Sequence, residues 1–577
     1  MPKKPIDLHR MLRDSQNYLC RNPDPATGYL PYFGGKIPEA GPPMLERCAW
    51  DYGDGTGRFV EAAHLTEKAI GLGIPEELQG GLISQLTKYI QDDGLFYSPK
   101  TPWTGEGHGD IWYQRGVITG LLTLCETDPD PEDLGIINRM VEALDEIAIR
   151  SEGDTYFYYA WDRDHRWKDD LAMSPAFALN DVLTQCAQIT GNEKALTLAG
   201  ELCHSMLMGK NRCFDEEGHV CFPASSDEVE TFKKQQCDWT LVDGAVVIES
   251  QSAWLLNNGH ATSRSMALLG LIRYSVLTGD RDLLARGKQI YDQFVADYCT
   301  QFGWAPENFL TAGQECSEMC TTADLIISQI LLARAGFPEY WEHTERFLRN
   351  HVYEAQVMVH DTLRGLEERY ATQVPGDPGS DHRVYNQALD RLAGGFAGPI
   401  YPDDQFCFYP KSRRNPDASR TIDISGCCSP SGIKAVAIAM QNAITIDQQG
   451  IQVNLLMDRD DEMIAIRSEM PERGVVTLTP KKAMNLSVRI PSWCQSSERL
   501  EFTVNDRRAP ITRKNGYADL GPIQAGSRID MVFDLTPSTE TLPVDGLDYD
   551  VSWRGYDVVS LKSRGDYKPL MSCYHDL

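Results

Sequence analysis

Two short windows concentrate more soft-ligand chemistry than a packing core requires: Glu315-Cys316-Ser317-Glu318-Met319-Cys320 and, further along, Cys427-Cys428-Ser429-Pro430. Zinc accepts cysteine sulfur and carboxylate oxygen in a roughly tetrahedral shell, and distant chain segments can share one ion. Adjacent cysteines rarely bond to each other, because their Cα atoms lie about 3.8 Å apart whereas disulfides favour about 4.4–6.8 Å. Side by side, Cys427 and Cys428 can nevertheless both face one metal. The expected site is a zinc–thiolate centre of Glu318, Cys320, Cys427 and Cys428. The competing reading, cysteines as small buried hydrophobes, accounts for any one of them better than for both windows together.

The elements that must position these residues change character along the chain. From about residue 8 to 445 the pattern is one of helical hairpins. The stretch Arg58–Leu65 opens a helical run, and Ile136, Met140 and Leu144 share a face of another. Two segments repeat one form: Leu183–Asn192 and Leu271–Asp280 each carry a helix into Thr-Gly-Asx. The Gly suits a left-handed helix end, and the Asn or Asp suits the cap of the next helix. Stacked antiparallel helix pairs follow from that arrangement. Near residue 450 the period changes. Ile451–Leu455, Met463–Ile466, Val475–Leu478, Leu486–Ile490, Leu500–Val504 and Ile529–Phe533 read as short strands of an antiparallel sandwich. The expected organisation is a mainly α, multidomain chain: a helical toroid over residues 1–447, a β-sandwich over 448–545, and a C-terminal segment, 546–577, without a clear pattern.

Between the helix pairs lie loops rich in Gly, Trp, His and Asp, notably Pro102–Tyr113 and Trp161–Trp167. Long loops inside a compact domain are usually functional. Aromatic rings beside carboxylates suit the apolar face and hydroxyl rim of a sugar. Trp103, His108, Trp161 and Asp162 are therefore candidate sugar contacts; the competing role for these tryptophans is to plug the ends of the helical array.

Composition excludes several classes. A net charge of −28 over 577 residues argues against nucleic acid and against anionic membrane surfaces, which need basic patches. No run approaches the roughly 18 apolar residues that span a bilayer. Met1–Arg10 carries basic residues with no apolar run behind them, unlike a secretory signal. The 16 cysteines are accordingly expected to be reduced thiols of a cytoplasmic protein. A carbohydrate is the expected partner, and a homodimer is left open.

Several segments together resemble glycoside hydrolase family 127 and its relatives, the β-L-arabinofuranosidase group. They are Arg58-Phe59-Val60-Glu61-Ala62, Leu179-Asn180-Asp181, Gly259-His260-Ala261-Thr262, Glu318-Met319-Cys320, Cys427-Cys428-Ser429-Pro430, Val453-Asn454-Leu455, Arg489-Ile490-Pro491-Ser492-Trp493-Cys494 and Gly516-Tyr517. The resemblance implies an (α/α)6 barrel followed by β-sandwich domains, with a zinc-bound cysteine as nucleophile. By match, Glu318 and Cys320 resemble zinc ligands, Cys427 the nucleophile and ligand, and Cys428 the fourth ligand. His260 and Asn180 match positions of the sugar site, and Glu307, in Glu307-Asn308-Phe309, resembles the general acid/base. Glu307 precedes Glu318 by eleven residues, a shorter spacing than the family's, which makes Glu315 a rival acid. A family histidine is missing from Arg115–Gly120, and Ser429-Pro430-Ser431 replaces a Pro-Pro-Asn.

The implied chemistry is a retaining hydrolysis in which thiolate replaces the usual carboxylate nucleophile. The implied substrate is a furanoside or unusual pentose, foremost a β-L-arabinofuranoside. Two other readings stand beside it. One is a different (α/α)-barrel glycosidase or lyase working through carboxylates. The other is a non-catalytic carbohydrate-binding or scaffold protein whose zinc is structural, since four protein ligands are also what structural sites carry.

Overall fold

The computed structural model describes residues 6–158, 160–161, 171–172, 177–209, 212–222, 241–242, 245–246, 259–309, 316–374, 382–409, 419–448, 450–494, 499–544 and 547–564. The two helix–Gly–Asx–helix junctions form as their residues dictate. Leu179–Thr190 ends at Gly191 and Ala261–Thr278 at Gly279, both left-handed with φ of 71°. Asn192 then accepts from the Ala195 amide at 2.9 Å, and Asp280 from the Leu283 amide at 2.9 Å, each capping the next helix.

Twelve of the described helices alternate between an outer and an inner layer. The outer ones are α1 (Leu8–Arg21), α3 (Glu76–Thr87), α5 (Pro131–Ile147), α7 (Glu193–Met208), α9 (Arg281–Tyr298) and α11 (Tyr340–Phe347, helical on to Ala355). The inner ones are α2 (Asp54–Ile70), α4 (Ile111–Cys125), α6 (Leu179–Thr190), α8 (Ala261–Thr278), α10 (Met319–Arg334) and α12 (Cys428–Asn442). The inner helices contact one another in the order α2–α4–α6–α8–α10–α12 and back to α2, which closes an (α/α)6 barrel. Their sequences explain the placement. α5 buries one stripe including Ile136, Met140 and Leu144, whereas α10 is buried along nearly its whole length. Small residues let the inner helices approach closely: a Cβ on Gly57 of α2 would lie 1.9 Å from the Gly116 carbonyl oxygen of α4.

At one mouth of the barrel sits a five-stranded antiparallel sheet made of β1 (Gly34–Pro38), β2 (Met44–Glu46), β3 (Arg383–Val384), β4 (Cys407–Tyr409) and β5 (Ser419–Asp423), in the order β3-β2-β1-β5-β4. Ile37 pairs with Ile422, and Cys407 with Thr421. β5 delivers the chain directly to the start of α12.

After α12 the chain becomes β. The strand Ile444–Asp447 pairs with Gly450–Val453, so the β-region begins at Ile444 rather than at 448. A five-stranded and a six-stranded sheet enclose one apolar core containing Val453, Ile466, Val476, Leu478, Val488 and Met531. The expected strands between 450 and 533 are all present. Part of the unpatterned C-terminal segment also proves to be β: Leu547–Arg554 and Asp557–Ser563 join Pro537–Val544 in a three-stranded meander that packs on Phe302 and Trp304 of the barrel. No described helix is long and apolar enough to cross a membrane.

A buried polar network clamps α11 to the β-region. Arg349, with no exposed side-chain surface, pairs with Glu345 at 2.7 Å and Asp557 at 3.3 Å and donates to the Leu456 carbonyl at 2.6 Å. Glu345 also meets Arg489, which donates to the Tyr556 hydroxyl at 2.6 Å. Removing one member strands buried charges of the opposite sign. Arg349→Met is expected to destabilise the chain by about 3–5 kcal/mol, read as a lowered denaturant midpoint with both helical and β signals affected.

Candidate metal centre

The candidate ligand residues and the neighbouring His260 stand where three adjacent inner helices begin. Glu318 immediately precedes α10 and Cys320 is in its first turn; Cys427 immediately precedes α12 and Cys428 opens it; His260 immediately precedes α8. Free amides and the helix dipole make such ends favourable for anions. The carboxylate of Glu318 and the sulfurs of Cys320, Cys427 and Cys428 lie within 4.8 Å of one another. Cys320 Sγ is 3.6 Å from Cys428 Sγ, which is 3.8 Å from Cys427 Sγ. A tetrahedron with Zn–S bonds of about 2.3 Å has edges of about 3.8 Å. The donor set and its spacing therefore fit a zinc ion.

Each donor is held by its own support. Glu318 Oε1 meets His260 Nε2 at 3.0 Å, and Oε2 accepts from Thr262 Oγ1 at 2.8 Å and from Thr321 Oγ1 at 3.3 Å. Such second contacts orient a metal-binding carboxylate. Cys428 packs against Gly398, where a Cβ would sit 2.6 Å from its sulfur, so that position needs the missing side chain. Ser429 Oγ accepts from the Phe396 amide at 2.9 Å, and Ser431 Oγ from Arg58 Nη1 at 3.1 Å, which pins the first turn of α12.

Protons distribute unevenly over the thiols. Hydrogen bonds from Cys320 and then Cys428 pull Cys427 down to about 6, against the effect of burial. Burial, and then the hydrogen bond with Cys427, pushes Cys320 up to about 12, while hydrogen bonds with Cys320 and then Cys427 push Cys428 upward. The thiols titrate as one coupled group, in which the proton is drawn most readily from Cys427. Burial disfavours a charged His260, but the Glu318 carboxylate outweighs it, with help from Glu307, and raises the imidazole to about 8. Burial also opposes the charge of Arg58, yet Asp54 and the sulfurs of Cys320 and Cys427 hold it firmly protonated.

Glu307 reaches this neighbourhood on an extended segment clasped from both sides. Its amide donates to the Cys316 carbonyl at 3.2 Å, and its carbonyl accepts from the Ala261 amide at 2.9 Å. The Glu318 amide donates to Ala305 at 3.0 Å. Phe309 anchors the segment in the core, its ring 4.4 Å from that of Tyr298. Glu307 is half-buried, and the His260 side chain is 33% exposed, leaving this end of the cluster approachable.

Two expected sugar contacts are corrected by the structure. Asn180 is wholly buried and donates to the Ala267 carbonyl at 2.9 Å, tying α6 to α8. Trp161 is wholly buried against Gly109, with which it pairs. Both serve packing. Trp103 and His108 stay partly exposed; the ring of Trp103 lies 5.3 Å from that of His382, and His108 approaches Asp110 at 3.5 Å. Glu315 and Asp162 fall outside the described residues. Ile111–Tyr113, expected in a loop, instead form the first turn of α4, capped by Asp110, which accepts from the Tyr113 amide at 2.7 Å.

Sequence reasoning missed a polar and aromatic frame beside the cluster. Arg58 Nε reaches both oxygens of Asp54 at 2.9–3.0 Å, and Arg115 reaches the same carboxylate at 3.2 Å. Both guanidinium groups lie 5.9 Å from the ring of Trp112, which is 6.4 Å from that of His260. The Asp54/Arg58 spacing of one helical turn was the available signal. A separate cavity of about 560 Å³ lies at the opposite mouth, bounded by the far ends of the inner helices at residues such as Gln185, Arg273, Arg334 and Asn442.

No family model and no curated protein sequence matches the chain. Solved structures do. A glycoside hydrolase family 127 β-L-arabinofuranosidase from Geobacillus stearothermophilus T6 superposes with a TM-score of 0.53 at 16% identity, over 95% of this chain and 80% of that one. A second family 127 β-arabinofuranosidase gives 0.55 at 14% identity, over 89% and 76%. A further glycoside hydrolase gives 0.54 at 14% identity, over 88% and 77%. The fold, helical barrel with β-region, is that of the family 127 β-L-arabinofuranosidases.

The ligand set makes a direct prediction. Purified chain is expected to hold one zinc ion by elemental analysis, and Glu318→Ala, Cys320→Ser and Cys428→Ser each to hold well below one. Full zinc content in all three variants would rule out this centre.

Proposed function

We propose that the protein is a retaining glycoside hydrolase acting on a furanoside or related pentose glycoside, most directly a β-L-arabinofuranoside, through Cys427. The observation that carries the reading is the gathering of three sulfurs and one carboxylate within 4.8 Å of one another, with the Glu307 segment clasped beside them. The β-L-arabinofuranosidase fold of the solved neighbours supports the choice of sugar.

Zinc bound by Glu318, Cys320, Cys427 and Cys428 would supply a Lewis acid that keeps the thiols deprotonated at neutral pH. Cys427 is the least enclosed of the three sulfur residues, and its thiolate is the one the cluster favours. It attacks the anomeric carbon, whose bond to the leaving oxygen breaks through an oxocarbenium-like state. Glu307 gives its proton to that oxygen as the aglycone departs. The sugar is then joined to Cys427 through carbon–sulfur linkage. Glu307, now a carboxylate, takes a proton from water, whose oxygen displaces the sulfur with a second inversion, and the anomeric configuration is retained. His260 holds the Glu318 carboxylate from one side and presents its partly exposed ring towards the sugar. Trp103 and His108 are candidates for the outer sugar contacts.

A second reading follows from the same closed ligand set, because four protein donors around zinc describe structural sites equally well. In that case the chain binds or scaffolds carbohydrate without turning it over.

Three measurements decide. On a panel of nitrophenyl furanosides and pyranosides, activity is expected on the furanoside arm and to vanish with a strong chelator; chelator-resistant turnover would favour a carboxylate mechanism, and no turnover at all the scaffold. Cys427→Ser should abolish turnover with circular dichroism unchanged, whereas an active variant would sink the thiolate mechanism. Glu307→Gln should slow cleavage by about 10²–10⁴-fold on poor leaving groups and much less on nitrophenyl glycosides, whose leaving oxygen needs little protonation.

A further inference from the structure

Two further cysteines near the barrel mouth, Cys316 and Cys407, lie outside the metal cluster. Cys316 Sγ and Cys407 Sγ are 2.7 Å apart, about 1 Å closer than the sulfur contacts of 3.6 and 3.8 Å within the cluster. Both residues are essentially inaccessible, and with Tyr401 they form a small apolar group of their own. Neither is in a disulfide. Among the described residues the group that gathers three or more metal-donor atoms is Glu318–Cys320–Cys427–Cys428, and this pair stands apart from it. Two buried thiols held in such contact have one chemistry readily open to them. We propose that Cys316 and Cys407 are a modification site: a reversible disulfide that staples together the two segments carrying the metal ligands.

The connectivity gives the bond its consequence. Cys316 lies two residues before Glu318, and its carbonyl receives the amide of Glu307. Cys407 opens β4 and pairs with Thr421 of β5, the strand that runs on to Cys427 and Cys428. The two sulfurs are 91 residues apart in sequence. A bond between them therefore closes a long loop whose ends each lead into one half of the ligand set, and cross-links of long loops restrict the opened chain most. With the bond made, the Glu318–Cys320 half and the Cys427–Cys428 half can no longer drift apart without breaking it.

The oxidant this needs is a small hydroperoxide, which a buried pair admits more readily than a bulky disulfide. One thiolate attacks the peroxide and takes up an oxygen atom, becoming a sulfenic acid as the first water leaves. The neighbouring thiol then attacks that sulfur, the sulfur–oxygen bond breaks, and the second water carries off the oxygen. Two electrons pass from the pair of sulfurs to the peroxide, and both thiol protons end in water. Contact between the sulfurs lets the second step outrun further oxidation.

The test uses the full chain with its metal bound. Protein treated with hydrogen peroxide, alkylated at its remaining thiols and digested without reductant should yield a peptide joining Cys316 to Cys407, lighter by two hydrogens than its parts. That peptide should disappear on reduction and be absent from Cys407→Ser, with Cys316→Ser as the second variant should the first fail to fold. This readout is independent of any activity, so it stands or falls apart from the proposed hydrolysis. Transfer of the metal to a chelator should also be slower for oxidised than for reduced wild type, and equal for the two treatments of Cys407→Ser. Recovery of both cysteines alkylated, or linkage of either to another cysteine, would overturn the site. Identical metal release before and after cross-linking would overturn the stapling role.

Discussion

Three sulfurs and a carboxylate within 4.8 Å of one another make a concentration of negative charge that a protein interior does not tolerate unaided. The architecture of the barrel mouth follows from that constraint. α8, α10 and α12 all begin there, so the positive ends of three helices face the cluster. Arg58 adds a full charge from α2, and it can do so only because Asp54 and Trp112 hold its guanidinium in place. The remaining demand can be met by a proton shared among the thiols or by a metal ion, which the close spacing of the donors would fit.

Holding that spacing is work for residues that are not ligands. Thr262, Thr321 and His260 occupy both oxygens of Glu318, leaving it little rotational freedom. Gly398 lets the backbone lie against Cys428, and Ser429 and Ser431 tie the first turn of α12 to Phe396 and Arg58. The five-stranded sheet completes the arrangement by carrying β5 into the cysteine pair, while the clasped segment around Glu307 brings a carboxyl group alongside. The β-region stands behind α11 through the Arg349–Glu345–Arg489 network, and so steadies the outer layer of the barrel.

Much of this was legible in the residues. Periodicity and the two Thr-Gly-Asx junctions indicated paired helices, because a left-handed glycine and a capping side chain act within a few residues of each other. Strand alternation placed the β-region with only a small error at Ile444, where the first strand follows α12 without an intervening turn signal. The C-terminal meander was not legible: its strands are mostly half-buried or exposed on one side, and their apolar face is completed by Phe302 and Trp304 from the barrel.

The four residues of the Cys/Glu cluster could be grouped from sequence because metal-donor types are few and gather visibly in two windows. Which loop tryptophans meet solvent could not be. Trp103 and Trp161 look alike as residues, yet one stays partly exposed while the other is sealed against Gly109. Asn180 sits in a motif that suggested a sugar contact and is instead a buried tie between two helices. The approach of Arg58, Arg115 and Trp112 to the cluster, and the contact of Cys316 with Cys407, depend on which helices and strands become neighbours around a closed ring. Donor chemistry, capping and periodicity are local properties and travel with the sequence. Exposure and proximity between residues far apart in the chain belong to the packed whole, and only the tertiary structure decides them.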